Sequence, residues 1–546
     1  MRNLLPILSR IGQYRMAWLR DDLVAGLTVG VMLIPQGMAY ALIAGLPPEY
    51  GLYASVVPLL IYAMLGTSPH LAVGPVALMA LLVASAASTL SNSPEEHIAI
   101  SILLALMAGV MQLALGLFRM GFLVSLLSRP VLSGFISAAA IVIGLSQLHH
   151  LLGVEAVSGG LHEIVLGIAV QISAINLWTL AIGVVGIVLI QTLKKRAPRV
   201  PGSLMAALAG VVCVAWTGLH EAGVGIVGAI PEGLPSFSIP VLDWSAIQAL
   251  LPMATAIALV GYMESIAVAK AIQEKSGEYE VDPNRELIAL GAANIGGSLF
   301  QSFPVTGGFS RTAVNYDAGA RTRLASIVSA AIVALTLLFL TPLFYYLPHA
   351  VLAAIVMAAV YGLIEVDEFR RLWRLGHYDR YMFLATFAGT LFGGIKEGIV
   401  LGVALSVIML VYRSARPNYT VLGRLPGTSI YRNIERNETE QEEGVLVLRV
   451  GAPLHFANAK YFRENVCERV RNTPHVRRLV LDFSGVNDMD STGLDELFAL
   501  TDHLKEDGIE VRLAEGRGPI RDFIHKGAGD EREMSLHMTI EEGVED

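Results

Sequence analysis

The 546 residues include 54% hydrophobic and only 16% charged side chains, and the mean hydropathy is +0.58. Soluble domains average about 25% charged residues, so most of this chain is suited to lipid. Before Pro417 there are 23 basic and 22 acidic residues, and from there on 16 basic and 25 acidic, so a long apolar part precedes a short acidic one; this excludes a nucleic-acid binder. Cys213 and Cys467 fall one in each part, which excludes a disulfide scaffold. Arg10, Arg15, Arg20 and Asp21 precede any long apolar run, so no cleavable signal is expected.

A bilayer-spanning helix needs about 20 apolar residues. Candidate spans begin near Leu23, Tyr53, Leu71, Ile98, Val131, Ile175, Ser203, Ala246, Glu286, Phe309, Leu324, His349, Tyr381 and Lys396, fourteen in all. An even number puts both termini on one side, and the positive-inside rule identifies that side. Arg2, Arg10, Arg15 and Arg20 share it with Arg119, Arg129, Lys194, Lys195, Arg196, Arg199, Lys270, Lys275, Arg285, Arg321, Arg323, the Arg370–Arg380 group, Arg413 and Arg416. Only Lys396 falls opposite, and Arg311 lies within a span. The expected organisation is a multi-span membrane domain over 1–416 in the plasma (cell inner) membrane. A cytoplasmic domain follows over 417–546, with 433–443 as a charged, mobile segment.

Span 1 contains Pro35, Gln36 and Tyr40; the last two are four apart and share a helix face. Span 3 opens with Gly74 and Pro75, and Pro75 suits the first turn of a helix. Span 10 is introduced by Pro304, Gly307 and Gly308, followed by Phe309, Ser310 and Arg311. Two interrupted segments seven spans apart point to an inverted-repeat transporter, although glycines also serve close helix packing. Half-helix N-termini carry unpaired N–H groups and about half a positive charge each. With Arg311 they make an anion site, and Ser310 fits an N-cap. Pairing of Arg311 with Asp317 is the structural alternative. Glu264 in span 8 follows a full apolar turn. Desolvation disfavours a charge on it and a nearby arginine favours one, so it is a candidate proton carrier or a fixed partner of Arg311. His149 and His150 lack companions at ligand spacing and are read as interface.

Past Arg416 the period changes. Residues 445–450, 478–483 and 509–513 read as strands, and 458–471, 492–505 and 519–525 as amphipathic helices, giving a small α/β domain. Ser491 fits a helix N-cap, and Asp482, Asp488 and Asp490 cluster as a metal site would but read as a polar surface loop.

The strings IPQGMAYA (34–41) and GLPPEYGLY (45–53) resemble the signature of the sulfate permease family, solute carrier family 26. GTSPH (66–70), VGP (73–75), ESIAVAK (264–270) and Ser310-Arg311 match the same family in order. LDFSGVNDMDSTGL (481–494) resembles the STAS domain of anti-sigma-factor antagonists, in which a serine at the Ser491 place is phosphorylated, so the resemblance makes Ser491 a candidate regulatory phosphosite. The resemblance implies an all-α polytopic domain of fourteen spans in a seven-plus-seven inverted repeat. A core (spans 1–4 and 8–11) would move against a gate (spans 5–7 and 12–14), with half-helices at spans 3 and 10 and a STAS domain appended. It places a small anion against Gln36 and Tyr40, against Gly74, Pro75 and Val76, and against Gly308, Phe309, Ser310 and Arg311. Glu264 resembles the proton-coupled members.

The leading expectation is secondary active, proton-coupled symport of sulfate or a similar anion, bicarbonate and dicarboxylates included, by alternating access. A passive channel or exchanger, a voltage-responsive protein and a STAS-mediated sensor are the alternatives. No nucleophile elbow, Walker loop or HExxH motif occurs, so neither enzyme activity nor a catalytic residue, cofactor or metal is expected. Expected partners are the anion, protons, membrane lipid, a second copy in a homodimer and a cytoplasmic protein on the STAS domain.

Overall fold

The computed structural model describes residues 14–122, 128–155, 161–197, 200–529 and 534–545. Arg2, Arg10 and Arg199 of the charge count lie outside them. The chain forms two compact units, Met1–Ser406 and Val407–Asp546. The division falls inside the last apolar helix, Ile395–Ala415, ahead of the composition change at Pro417.

In the first unit every expected span has its helix among the described residues, beginning within a few residues of the place read from the sequence. Among the described residues eight segments there are long and apolar enough to cross a bilayer. Spans 3 and 10 are broken alike. Strand β1 (Val73–Gly74) precedes the helix Ala77–Ala87, and strand β2 (Thr306–Gly307) precedes the helix Phe309–Asp317. The strands pair antiparallel, Val73 with Gly307 and Gly74 with Thr306. Equivalent segments running in opposite directions are what an inverted seven-plus-seven repeat requires.

Helices in lipid gain little from hydrophobic burial and associate by close packing of small residues. Spans 4 and 9 meet through Gly109 and Gly291; a Cβ on Gly109 would lie 2.8 Å from the Gly291 carbonyl oxygen. Among the described residues, the α-helices Leu161–Val170 and the strongly amphipathic Val366–Leu375 fall outside the fourteen spans. Ten residues rise about 15 Å, half the bilayer core, so neither crosses it.

The second unit is α/β. Its strands β3 (Tyr419–Arg424), β4 (Tyr431–Asn433), β5 (Val445–Val450), β6 (Arg478–Asp482), β7 (Glu510–Ala514) and β8 (Ser535–His537) form one sheet in the order β4-β3-β5-β6-β7-β8. The pairings of β3 are antiparallel and those from β5 to β8 parallel. Leu448, Leu479, Leu481, Phe462, Val466 and Leu497 are fully buried between sheet and helices, each contributing about 1.5–3 kcal/mol by leaving water. Within the segment 433–443, expected to be mobile, Glu440 exchanges both backbone hydrogen bonds with Arg424 of β3 at 2.8 Å.

Candidate anion site

A broken helix at membrane depth must find partners for its backbone polar groups. Gly308 N donates to Ala72 O at 3.1 Å, Gly307 N to Ser265 Oγ at 2.7 Å, and Ala72 N to Thr312 Oγ1 at 3.1 Å. Asn294 of span 9 grips Val305 from both sides. Its Oδ1 accepts from Val305 N at 2.8 Å and its Nδ2 donates to Val305 O at 3.1 Å. The same Nδ2 donates to Gln112 Oε1 at 3.0 Å. Ser265 Oγ and Thr306 Oγ1 share a 2.6 Å hydrogen bond, and Thr306 also donates to Gly261 O. Sequence reasoning passed over Ser265, Asn294, Gln112 and Thr312. Their one signal was polarity inside apolar stretches, which does not say where the partner lies.

The two half-helices are uncapped. Val76 and Gly308 occupy their N-cap positions, and neither offers a side-chain acceptor. The first helical bonds are Ala80 N to Val76 O and Thr312 N to Gly308 O, both 3.0 Å. The N–H groups of residues 77–79 and 309–311 therefore have no protein acceptor among the described residues. Two expectations are corrected here. Ser310 is not the N-cap but the second helical residue, exposed, two residues past the cap at Gly308. Pro75 does not open the helix of span 3; it lies in the extended stretch before Val76, where its ring cannot clash with a helical turn.

Gln36 and Tyr40, Val76, Glu264, and Gly308 through Arg311 line one cavity of about 390 Å³, within the usual range for small-ligand sites. Gly74 and Pro75 stand outside that lining, behind Arg311. The Arg311 side chain is 2% exposed; Nη1 donates to Pro75 O at 2.8 Å, while Nε and Nη2 are buried without a partner. The guanidinium folds back over Gly308, where an added Cβ would lie 2.8 Å from Nη2. Oε2 of Glu264 is also buried and unpartnered, and among the described residues neither the Arg311–Glu264 bridge nor the Arg311–Asp317 pair considered from sequence occurs. Gln36 and Tyr40, 6% exposed each, make no side-chain hydrogen bond among the described residues. The facing wall comes from spans 6, 7 and 12, with Ile190, Ser203, Ile355, Ala358, Ala359 and Gly362.

The family model described as the sulfate permease family matches residues 19–386. The chain belongs to the sulfate permease family. A STAS domain model matches residues 436–543. The chain is 40% identical over 532 residues to sulfate transporter 4.1, chloroplastic, of Arabidopsis thaliana, covering 94% of this chain and 77% of that one. It is 37% identical over 522 residues to a probable sulfate transporter of Mycobacterium tuberculosis, covering 95% and 93%. The structure of the murine solute carrier 26 family member A9 anion transporter in the inward-facing state superposes with a TM-score of 0.88 at 28% identity, over 96% of this chain and 90% of that one. The transmembrane domain of a cyanobacterial bicarbonate transporter shares the fold, with a TM-score of 0.62 at 24% identity over 72% of this chain and 98% of that one. The fold is thus the polytopic fourteen-span domain with a STAS domain after it.

In the STAS unit Ser491 is exposed at the first position of the helix Ser491–Glu506, but the cap is Asp490. Asp490 Oδ1 accepts from Gly493 N and Oδ2 from Phe456 N, both at 2.8 Å. Asp482 is fully buried and pairs with Arg449 at 2.5 Å. His149, His150 and His349 stack at the far ends of spans 5 and 12, away from the cavity lining.

Proposed function

We propose that the chain is a secondary active transporter of a small oxyanion, with sulfate the leading substrate, and that the cavity is its binding site. One observation carries this reading. Arg311 is a buried guanidinium with two nitrogens unpartnered, beside two uncapped helix N-termini. A buried charge lacking a partner costs several kcal/mol, and an arriving anion removes that cost. Each N-terminus adds about half a charge, so the site totals roughly two positive charges against the carboxylate of Glu264. With Glu264 ionised the balance suits a monoanion, and with Glu264 protonated it suits a dianion. Entry of a dianion beside the carboxylate meets a repulsion that one proton removes. Proton symport with Glu264 as carrier follows, and the names of the sulfate-transporting relatives favour the dianion.

Gln36 and Tyr40 supply neutral donors that orient oxygens without adding charge, and Val76, Phe309 and Ser310 complete the core wall. The part of the facing wall that comes from span 12, with Ile355, Ala358, Ala359 and Gly362, is mostly small and apolar, so the core carries the deep polar contacts and slides past a smooth surface in alternating access. Gly74 and Pro75 act by fixing Arg311 rather than by touching the anion. The lysine and arginine distribution supports cytoplasmic termini in a plasma membrane, although one relative bears a chloroplastic name. A homodimer, and a cytoplasmic partner reached through the STAS unit and its exposed Ser491, belong to the same proposal on family resemblance.

The test is uptake of labelled sulfate, bicarbonate and a dicarboxylate into liposomes under an imposed pH gradient. Accumulation of sulfate only when protons flow with it supports symport. Equal fluxes with and without the gradient point to passive conduction or exchange and overturn the coupling.

A further inference from the structure

A third uncapped helix faces the same cavity, from the gate side. Span 7, Gly202–Thr217, has Pro201 at its N-cap with no side-chain acceptor. Its first helical bond is Met205 N to Pro201 O at 3.1 Å. The N–H groups of Gly202, Ser203 and Leu204 consequently have no acceptor among the described residues. Ser203 is 7% exposed, lines the cavity, and its hydroxyl oxygen is buried without a partner. A buried hydroxyl left unpaired costs about 1–3 kcal/mol, which marks the place as built for something that accepts hydrogen bonds. Span 7 starts flush against span 6: a Cβ on Gly202 would sit 3.3 Å from both Cα and O of Ile190. One turn further along span 6 stands Lys194, exposed and also lining the cavity.

We propose that the N-terminus of span 7, the Ser203 hydroxyl and Lys194 form a second, weaker station for the transported oxyanion, at the end of the cavity where the basic loops lie. The inference rests on the reading of the cavity as an anion path. The geometry gives the two walls different tasks. The core wall offers a guanidinium and two N-termini deep in the fold, and the gate wall offers one N-terminus and an ammonium that stays hydrated. An anion entering from the basic side meets the gate station first and is handed to the core site as the walls approach. When the cavity opens to the other side, the core site departs with the anion and the gate station does not follow. The station therefore shapes entry from one side only.

The test uses the full chain in oriented liposomes, with labelled sulfate fluxes measured from each side for the wild type, Ser203→Val, Lys194→Gln and the double variant. The expected result is a three- to tenfold higher KM for sulfate from the basic-loop side in the double variant, with KM from the opposite side unchanged and Lys194→Arg restoring the wild-type value. An unchanged KM on both sides, or an equal rise on both, overturns the station while leaving the core site intact. Wild-type chain that moves no sulfate in either direction overturns it together with the reading on which it rests.

Discussion

At the residue scale, Arg311 and Gly308 act as one device. Charge-assisted hydrogen bonds contribute about 1.5–3 kcal/mol each, and two guanidinium nitrogens await partners. Arg311→Ala is therefore expected to weaken sulfate binding by a hundredfold or more in a chain that stays folded, as read by equilibrium binding on purified protein. Gly308→Val tests the same device indirectly. The φ of Gly308 is −89°, so a side chain is tolerated by the backbone, but its Cβ would displace the guanidinium; binding should fall without loss of thermal stability. Glu264→Gln is fixed in a proton-like state and is expected to bind and exchange sulfate while losing accumulation driven by a pH gradient. A Gln variant that concentrates sulfate as the wild type does would refute the carrier role.

At the element scale, the half-helices exist because their neighbours complete their backbones. Asn294→Ala would leave the N–H and C=O of Val305 unpaired in a buried place, at a cost of about 2–4 kcal/mol. The apparent thermal midpoint should drop clearly, and transport with it; an unaltered midpoint would show that span 10 does not depend on span 9. Much of this was legible in the sequence. Apolar runs placed the spans, Gly74-Pro75 and Gly307-Gly308 located both breaks, and Gln36 and Tyr40, expected on one helix face, both line the cavity. The caps were not legible. Ser310 and Ser491 have capping side chains, yet Gly308 and Asp490 hold those positions: in span 10 the helix begins where β2 ends, and in the STAS unit the Asp490 carboxylate takes the cap. Nor could sequence disclose that Pro75 offers its carbonyl to Arg311, a contact between residues 236 positions apart.

At the scale of the whole molecule, the basic residues predict sidedness and the two compact units predict separable tasks. Protease added to sealed right-side-out vesicles should spare the STAS unit; cleavage after Arg424 or Arg436 there would reverse the topology. A chain ending at Arg416 lacks every STAS strand but no cavity residue. It is expected to retain sulfate affinity within about threefold, and to lose dimer assembly or regulation if the STAS unit serves either.

The pairing of β1 with β2 also sets a timetable for biosynthesis. Residues 73 and 74 find their hydrogen-bonding partners only when residues 306 and 307 emerge. At about 5–20 residues per second, a lag from residues 73 and 74 to residues 306 and 307 is on the order of ten to fifty seconds. Throughout that interval span 3 sits in the membrane with open backbone groups, a nascent chain with an unfinished seam. Ribosome-arrested chains halted before Thr306 should leave a cysteine at Gly74 open to a water-soluble alkylating reagent, and chains arrested well past Asp317 should protect it. Equal labelling of the two would mean that the first half of the protein closes its own seam without waiting for the second.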